Sequence, residues 1–168
     1  MLIIVSVLIL ITFLSFIIVF LARKSIAVHV IRGQSMTPTL NRGDRVLVKK
    51  IRSPRVPDRN EIVVLDTNRM KVNTIVPHRY FVKRVIGLPN DVLRIEGKVV
   101  QRVDDSWYQL RDCSTDADIR VELVPQQHIF VMGDGPESLD STHWGPIPVE
   151  TVIGKVIAKL PRSLEKSS

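Results

Sequence analysis

Two residues stand where their neighbours could alter their chemistry. Ser35 lies in Gly33-Gln34-Ser35-Met36-Thr37-Pro38-Thr39-Leu40, a stretch punctuated by Gly and Pro. Lys83 lies in His78-Arg79-Tyr80-Phe81-Val82-Lys83-Arg84-Val85-Ile86-Gly87. In an extended strand Phe81, Lys83 and Val85 share one face. A lysine set between Phe and Val on an inward face is desolvated, which disfavours its charged form and lowers its pKa. A neutral amine can take a proton from a serine hydroxyl, so Ser35 and Lys83 make a workable nucleophile and base. The same residues also suit a plainer arrangement. Ser beside Gly and Pro is commonly a turn residue, and Lys83 can face solvent with Arg84 on the other side. The pattern alone leaves both open.

Other chemistries have less behind them. The four histidines, His29, His78, His128 and His143, show no H-E-x-x-H or similar ligand spacing, so no metal is expected. A Ser-His-Asp triad needs a histidine within reach of both partners, and only Asp140 and His143 lie close together in sequence. A single cysteine, Cys113, excludes an intrachain disulfide framework and a cysteine-based zinc site.

The elements that must position Ser35 and Lys83 follow from the apolar pattern. The chain has 168 residues, enough for one small domain and an appendage. Leu2 to Ala22 carry no charge, and only Ser6, Thr12 and Ser15 interrupt Leu, Ile, Val and Phe. As a helix that run is roughly 31 Å long, enough to cross a bilayer. Only Met1 precedes it, and it ends in Leu21-Ala22-Arg23-Lys24 without a small-residue cleavage pattern. A retained single-span anchor at 2–22 is therefore expected rather than a cleaved signal. After it, short apolar or alternating runs recur at Arg45-Val48, Glu61-Leu65, Arg79-Ile86, Asp91-Ile95, Lys98-Val100, Ile119-Leu123, Ile129-Met132 and Val152-Ala158. Turn-forming residues separate them, and no later segment holds a 3.6-residue period. This predicts a mostly β domain over 23–163, of sandwich or barrel type, and a frayed tail at 164–168.

Charge is uneven. Arg23 to Arg59 hold ten basic and two acidic residues, net +8, whereas Asn60 to Ser168 hold 14 basic and 15 acidic, net −1. The positive excess therefore sits directly after the apolar run. It suits anionic headgroups at a membrane surface. Nucleic acid is not expected as a partner, because no aromatic interleaving or recognition helix accompanies the basic residues. The positive-inside rule would place Arg23, Lys24 and Arg32 in the cytoplasm.

The stretches around both candidate residues resemble boxes of the type I signal peptidases. Ser35-Met36-Thr37-Pro38-Thr39-Leu40 is similar to the S-M-x-P-T-L box, and Arg42-Gly43-Asp44-Arg45-Val46-Leu47-Val48 to R-G-D-x-V-x-V. Lys83 to Asp91 resembles K-R-V-I-G-L-P-G-D, with Asn90 at the second Gly. Gly133-Asp134 and Ser138 to Pro148 resemble G-D-N and S-x-D-S-R-x-W-G-x-V-P. The boxes stand in family order behind one apolar run, and the small size is similar to compact members such as mitochondrial inner-membrane peptidases.

The resemblance implies roles. Ser35 matches the nucleophile, Lys83 the general base, and Ser138 the serine that orients the lysine amine. Asp140 matches an aspartate braced by arginines, and the Ser35 N–H an oxyanion donor. Gly33 stands where some members carry a serine hydroxyl as a second donor. Two departures stand out. Thr142 replaces the expected arginine, which leaves Arg84 as the family-matched partner for Asp140. Gly135-Pro136 follow Gly133-Asp134, and the next spacer is one residue shorter than in many bacterial members.

The reading is a partly open, signal-peptidase-like β-barrel core behind one transmembrane helix. It implies a serine endopeptidase that removes signal or sorting peptides after small residues at −1 and −3, without metal or cofactor. Its partners are precursor proteins, membrane lipid and, in some arrangements, a partner peptidase subunit. The family topology places the catalytic domain on the extracytoplasmic or intermembrane-space side. That topology conflicts with the charge rule and takes precedence, because substrates are cut after translocation. A silent, membrane-anchored binding or assembly subunit is the alternative, motivated by Thr142, Gly135 and the shortened loop. A self-cleaving Ser-Lys repressor is a third reading, but it requires a DNA-binding head where this chain has an apolar span.

Overall fold

The computed structural model of the chain describes residues 2–70, 78–97, 99–103, 119–136 and 138–161. Trp107, Tyr108, Cys113 and the tail expected at 164–168 lie outside the described residues. The helix α1 (Leu2–Ser25) runs three residues past the Ala22 boundary that the apolar run predicts. No Gly or Pro breaks its hydrogen-bond ladder. Its hydroxyls are satisfied internally: Ser6 donates to the Ile3 carbonyl, Thr12 to Ile9 and Ser15 to Ile11, each at 2.8 Å. The side chains of α1 are described over residues 3–17 and at Ser25, and those of 3–16 are exposed. Among the described residues no helix is long and apolar enough to cross a membrane.

The rest is mostly β, a half-barrel of curled sheet. The strands are β1 (Ile26–Val30), β2 (Arg45–Lys50), β3 (Ile62–Asp66), β4 (Tyr80–Gly87), β5 (Val92–Glu96), β6 (Val99–Val103), β7 (Ile119–Leu123), β8 (His128–Met132), β9 (Ile147–Pro148) and β10 (Val152–Leu160). Seven form one sheet in the order β1-β2-β10-β3-β4-β8-β9, and three form a second in the order β6-β5-β7. The strands β1 and β9 are not predicted by alternation. β1 abuts α1 and leaves both faces wet, and β9 is two residues ending in proline.

The central strands are apolar because both their faces are covered. Val63 and Leu65 of β3 and Val85 of β4 join one core with Ile129, Val131 and Ile147. Val64 of β3 and Val82 of β4 face another, built on Ile31, Met36, Leu40, Val46 and Val48. A third core joins the two sheets through Leu93, Ile95, Val124 and Phe130. Gly87 ends β4 at this junction. A Cβ there would lie 2.8 Å from both Leu93 Cδ1 and Phe130 Cβ, so only glycine lets the strands approach.

The turn from β4 to β5 explains one departure from the family pattern. Asn90 sits at φ +70°, in the left-handed region. Glycine reaches that region freely, and asparagine is among the few other residues that do so routinely. Asp91 closes the turn by accepting from the Leu88 N–H at 2.5 Å and from Arg59 Nη2 at 2.7 Å. Asn90→Gly is therefore expected to leave thermal unfolding nearly unchanged. Asn90→Val should cost about 1–2 kcal/mol, a fall of several degrees in Tm, read by thermal unfolding of the detergent-solubilised protein.

Candidate active site

The loop between β1 and β2 carries Ser35, and apolar anchors fix its path. Ile31, Met36 and Leu40 are buried beneath it. Its backbone closes on itself: the Leu40 N–H donates to the Met36 carbonyl at 2.8 Å, Ile31 to Asp44 at 2.9 Å, and Gly43 to Ile31 at 2.8 Å. Ser35 follows as a half-buried residue on a turn in which the Thr37 N–H donates to the Gln34 carbonyl at 3.0 Å.

Lys83 lies on β4 opposite Val63 of β3. It is 1% exposed, so the inward-facing arrangement is the one that occurs. Phe81, on the same face, places its ring centroid 5.4 Å from Lys83 Nζ and stacks on Trp144 at 5.7 Å. The amine donates a hydrogen bond to Ser138 Oγ at 2.5 Å, and Ser138 is itself buried. A buried amine requires such a partner, because an unsatisfied one carries the full cost of desolvation.

Ser35 reaches the same place through the loop after β8. The Gly135 N–H donates to the Ser35 carbonyl at 2.9 Å. A Cβ on Gly133 would overlap both the Ser35 carbonyl oxygen and the Ser138 hydroxyl. A Cβ on Gly135 would lie 2.6 Å from the Gln34 carbonyl oxygen. Both glycines are thus required by close approach, and they seat Ser35 beside the pair formed by Lys83 and Ser138.

Asp140 is fully buried and caps the short helical turn α2 (Ser141–Trp144). Its Oδ2 accepts from the Gly133 N–H at 3.1 Å. Its Oδ1 accepts from the Thr142 N–H at 3.2 Å and the Thr142 hydroxyl at 2.7 Å. Thr142 thus fills, by hydrogen bonds, the place of the expected arginine. His143 Nδ1 stands 3.8 Å from Asp140 Oδ1, too far for a direct hydrogen bond.

Arg84, the family-matched partner for Asp140, is engaged by Asp134. Its Nε lies 2.9 Å from Oδ1 and its Nη2 2.6 Å from Oδ2, a two-pronged pair. Its Nη1 also donates to the Asn60 carbonyl at 3.0 Å, and its Nη2 lies 3.4 Å from Thr39 Oγ1. The pair ties the strand of Lys83 to both loops that carry serines. Partial burial pushes the Asp134 carboxyl up, but the hydrogen bonds from Arg84 and Thr39 and the guanidinium charge outweigh it. The carboxyl is held below its ordinary range. The hydrogen bond to Asp134 in turn raises the Arg84 guanidinium against partial burial. Asp134 and Thr39 are residues that sequence reasoning did not single out, although both stand inside the quoted boxes. Among the described residues no cluster of His, Cys, Asp and Glu could hold a metal ion.

Fold and site together define a β domain in which a buried lysine amine, the serine that accepts its hydrogen bond and a second serine on a tight loop come together. A family profile described as signal peptidase, peptidase S26, matches residues 3–160. The chain belongs to that family. It is 33% identical over 136 residues to a probable signal peptidase I-2 of Synechocystis, covering 77% of this chain and 60% of that one. It is 33% identical over 148 residues to a signal peptidase I of Bacillus caldolyticus, covering 76% and 75%. A probable chloroplast thylakoidal processing peptidase 2 of Arabidopsis thaliana is also 33% identical, over 76% of this chain and 36% of that one. The alignments with the Synechocystis and Arabidopsis proteins span less than two thirds of those relatives' lengths. A solved signal peptidase I from Enterococcus faecalis overlays on 63% of this chain with a TM-score of 0.41 at 20% identity.

The Arg84–Asp134 pair has a testable pH signature. A carboxyl depressed by folding contributes stability above its unfolded pKa of about 3.9, and loses it as pH falls through the folded value. Asp134→Asn is expected to cost about 1 kcal/mol at pH 6–8, a modest figure because the pair is partly exposed to solvent. The gap from wild type should close below about pH 4. Denaturant unfolding across that range reads it, and a gap that stays constant to pH 3 would show that the carboxylate's charge contributes nothing.

Proposed function

We propose that the protein is a membrane-bound serine endopeptidase that removes N-terminal signal or sorting peptides from translocated precursors. The observation that carries this reading is the 2.5 Å hydrogen bond from Lys83 to Ser138, buried, with Ser35 seated beside it. Burial opposes the ammonium form, and a neutral amine has two N–H groups and one lone pair. One N–H goes to Ser138, which restricts the directions open to the lone pair. Lys83 then takes the Ser35 proton as Ser35 attacks the scissile carbonyl, and the Ser35 N–H stabilises the oxyanion. Collapse expels the new N-terminus, which takes its proton from Lys83, and leaves an ester on Ser35. Lys83 next activates a water, which hydrolyses the ester and frees the enzyme. Asp140, through Gly133, and Arg84, through Asp134, hold the loops in place. The names of the relatives, signal peptidase I and thylakoidal processing peptidase, support the same reaction class.

The whole of α1 is read here as a membrane anchor, with the β domain extracytoplasmic as the family topology implies. The sheet register supports a site near the bilayer. One row of paired residues runs from Ile26, the first strand residue after α1, through Lys49, Lys155 and Val63 to Lys83. Four strand spacings of about 4.8 Å place Lys83 roughly 19 Å sideways from the helix exit, at its level in the register. Exposed Lys49 and Lys50 on the intervening strand suit contact with anionic headgroups.

Cleavage of a precursor peptide with an Ala-x-Ala site by the solubilised full chain tests the reading. Cutting after the second Ala is expected from wild type, with turnover lowered at least roughly 10³-fold in both Ser35→Ala and Lys83→Met. Ser138→Ala should lower turnover by about 10- to 100-fold, the cost of one hydrogen bond to the base. Inactive wild type in lipid and in detergent would turn the assignment toward a binding subunit. The anchor has its own assay: the full chain should remain with membranes through an alkaline carbonate wash, and release would overturn it.

A further inference from the structure

We propose that Lys159, near the end of the last strand, is a positioning residue for the Ser35 loop; this rests on the reading of Ser35 as nucleophile. The loop returns to the sheet at Asp44, which is 1% exposed. Its Oδ2 accepts from the Asn41 N–H at 2.7 Å, so the carboxylate folds the end of the loop upon itself. Lys159 Nζ lies 2.5 Å from the same oxygen. The ammonium also stands 3.5 Å from the Thr39 carbonyl oxygen, at the long end of hydrogen-bond range.

Thr39 therefore faces two ways. Its carbonyl is turned toward Lys159, and its hydroxyl meets the Arg84–Asp134 pair. The loop is thus held on one side by β10 and on the other by the strand that carries Lys83. β10 pairs with both β2 and β3, and β3 pairs with Lys83 through Val63. Lys159 accordingly connects the nucleophile loop to the sheet that carries the base, by a route that does not pass through Ser138 or Asp140. Its ammonium is partly exposed and the carboxylate is not. Removing the cation would leave a buried carboxylate without that partner, and the loop is the part able to move toward water.

The experiment compares Lys159→Met, Lys159→Arg and Asp44→Asn/Lys159→Met in the full chain, solubilised in detergent. Two quantities are read: kcat and KM on the Ala-x-Ala precursor, and hydrogen exchange in peptides covering residues 31–44, β3 and β4. For Lys159→Met we expect kcat to fall about 10- to 100-fold with KM within about twofold, as misplacement of a nucleophile predicts. Exchange over 31–44 should rise by a similar factor while β3 and β4 are unchanged. Lys159→Arg should recover both quantities to within about threefold. The double variant, which removes the buried charge, should restore the melting temperature without restoring kcat. Unchanged kcat and loop exchange in Lys159→Met would overturn the proposal. So would exchange rising equally in all three regions, which marks a general loss of stability. If wild type cleaves no precursor, the peptidase reading fails on its own, and loop exchange still decides whether Lys159 holds the segment.

Discussion

An amine shut inside an apolar core is the constraint on which the rest of the site depends. Lys83 sits on a strand whose other inward residues pack against Ile129, Val131 and Ile147, and it is itself almost fully buried. A polar group so placed must find a protein partner or cost several kcal/mol. Ser138 is that partner. Its hydroxyl cannot reach the amine unless the chain after β8 folds back tightly, and that path brings the loop against the backbone of Ser35. Gly133 and Gly135 are what remains after every side chain that would collide there is removed. The need to satisfy one buried nitrogen thus seats the second serine as well.

Carboxylates then fix the loops that this arrangement folds back. Asp44 closes the loop before β2, Asp134 opens the loop after β8, and Asp140 ends it. Each accepts hydrogen bonds from groups on a different part of the chain or from its own turn. None relies on a single surface ion pair, which would contribute little. Loops carry few apolar contacts of their own, so short-range polar bonds to a rigid sheet are the means available for holding their atoms in place. The division is a physical one: apolar burial sets the sheet, and charge-assisted hydrogen bonds set the loops.

How much of this could be read from sequence follows the same division. The eight runs with alternation or strong apolar character lie on β2 to β8 and β10, because half-buried and doubly covered strands both leave an apolar trace. β1 left none, since its residues are mostly exposed and it continues an apolar helix. The contact of Lys83 with Ser138, 55 positions away, is a property of the fold. The pattern around Lys83 allowed a solvent-facing lysine equally well, and only the resemblance supplied Ser138. The Arg84–Asp134 pair was missed because the two residues sit in separate boxes and their charges carry no sign of who faces whom. Resemblance points Arg84 at Asp140, whereas in the fold Arg84 makes its two-pronged pair with Asp134.

The departures from the family pattern form a group with one physical explanation. At Asn90 the family's glycine meets a demand for φ near +70°, and asparagine meets the same demand. At Thr142 the expected arginine would offer a long-range charge, whereas threonine offers a hydroxyl and its own N–H to the same carboxylate oxygen. Asp140 is then held as a helix cap, by bonds within three residues, with a third from Gly133. A cap needs less chain and less space than an ion pair with an arginine side chain. Gly135 belongs to the same economy, since its bare Cα lets its N–H reach the Ser35 carbonyl. Thr142 and Gly135 thus hold the loop after β8 against Asp140 and the Ser35 backbone by short-range hydrogen bonds. A lysine buried at 1% exposure costs more than an apolar residue of similar volume, and here the hydroxyl of Ser138 offsets that cost.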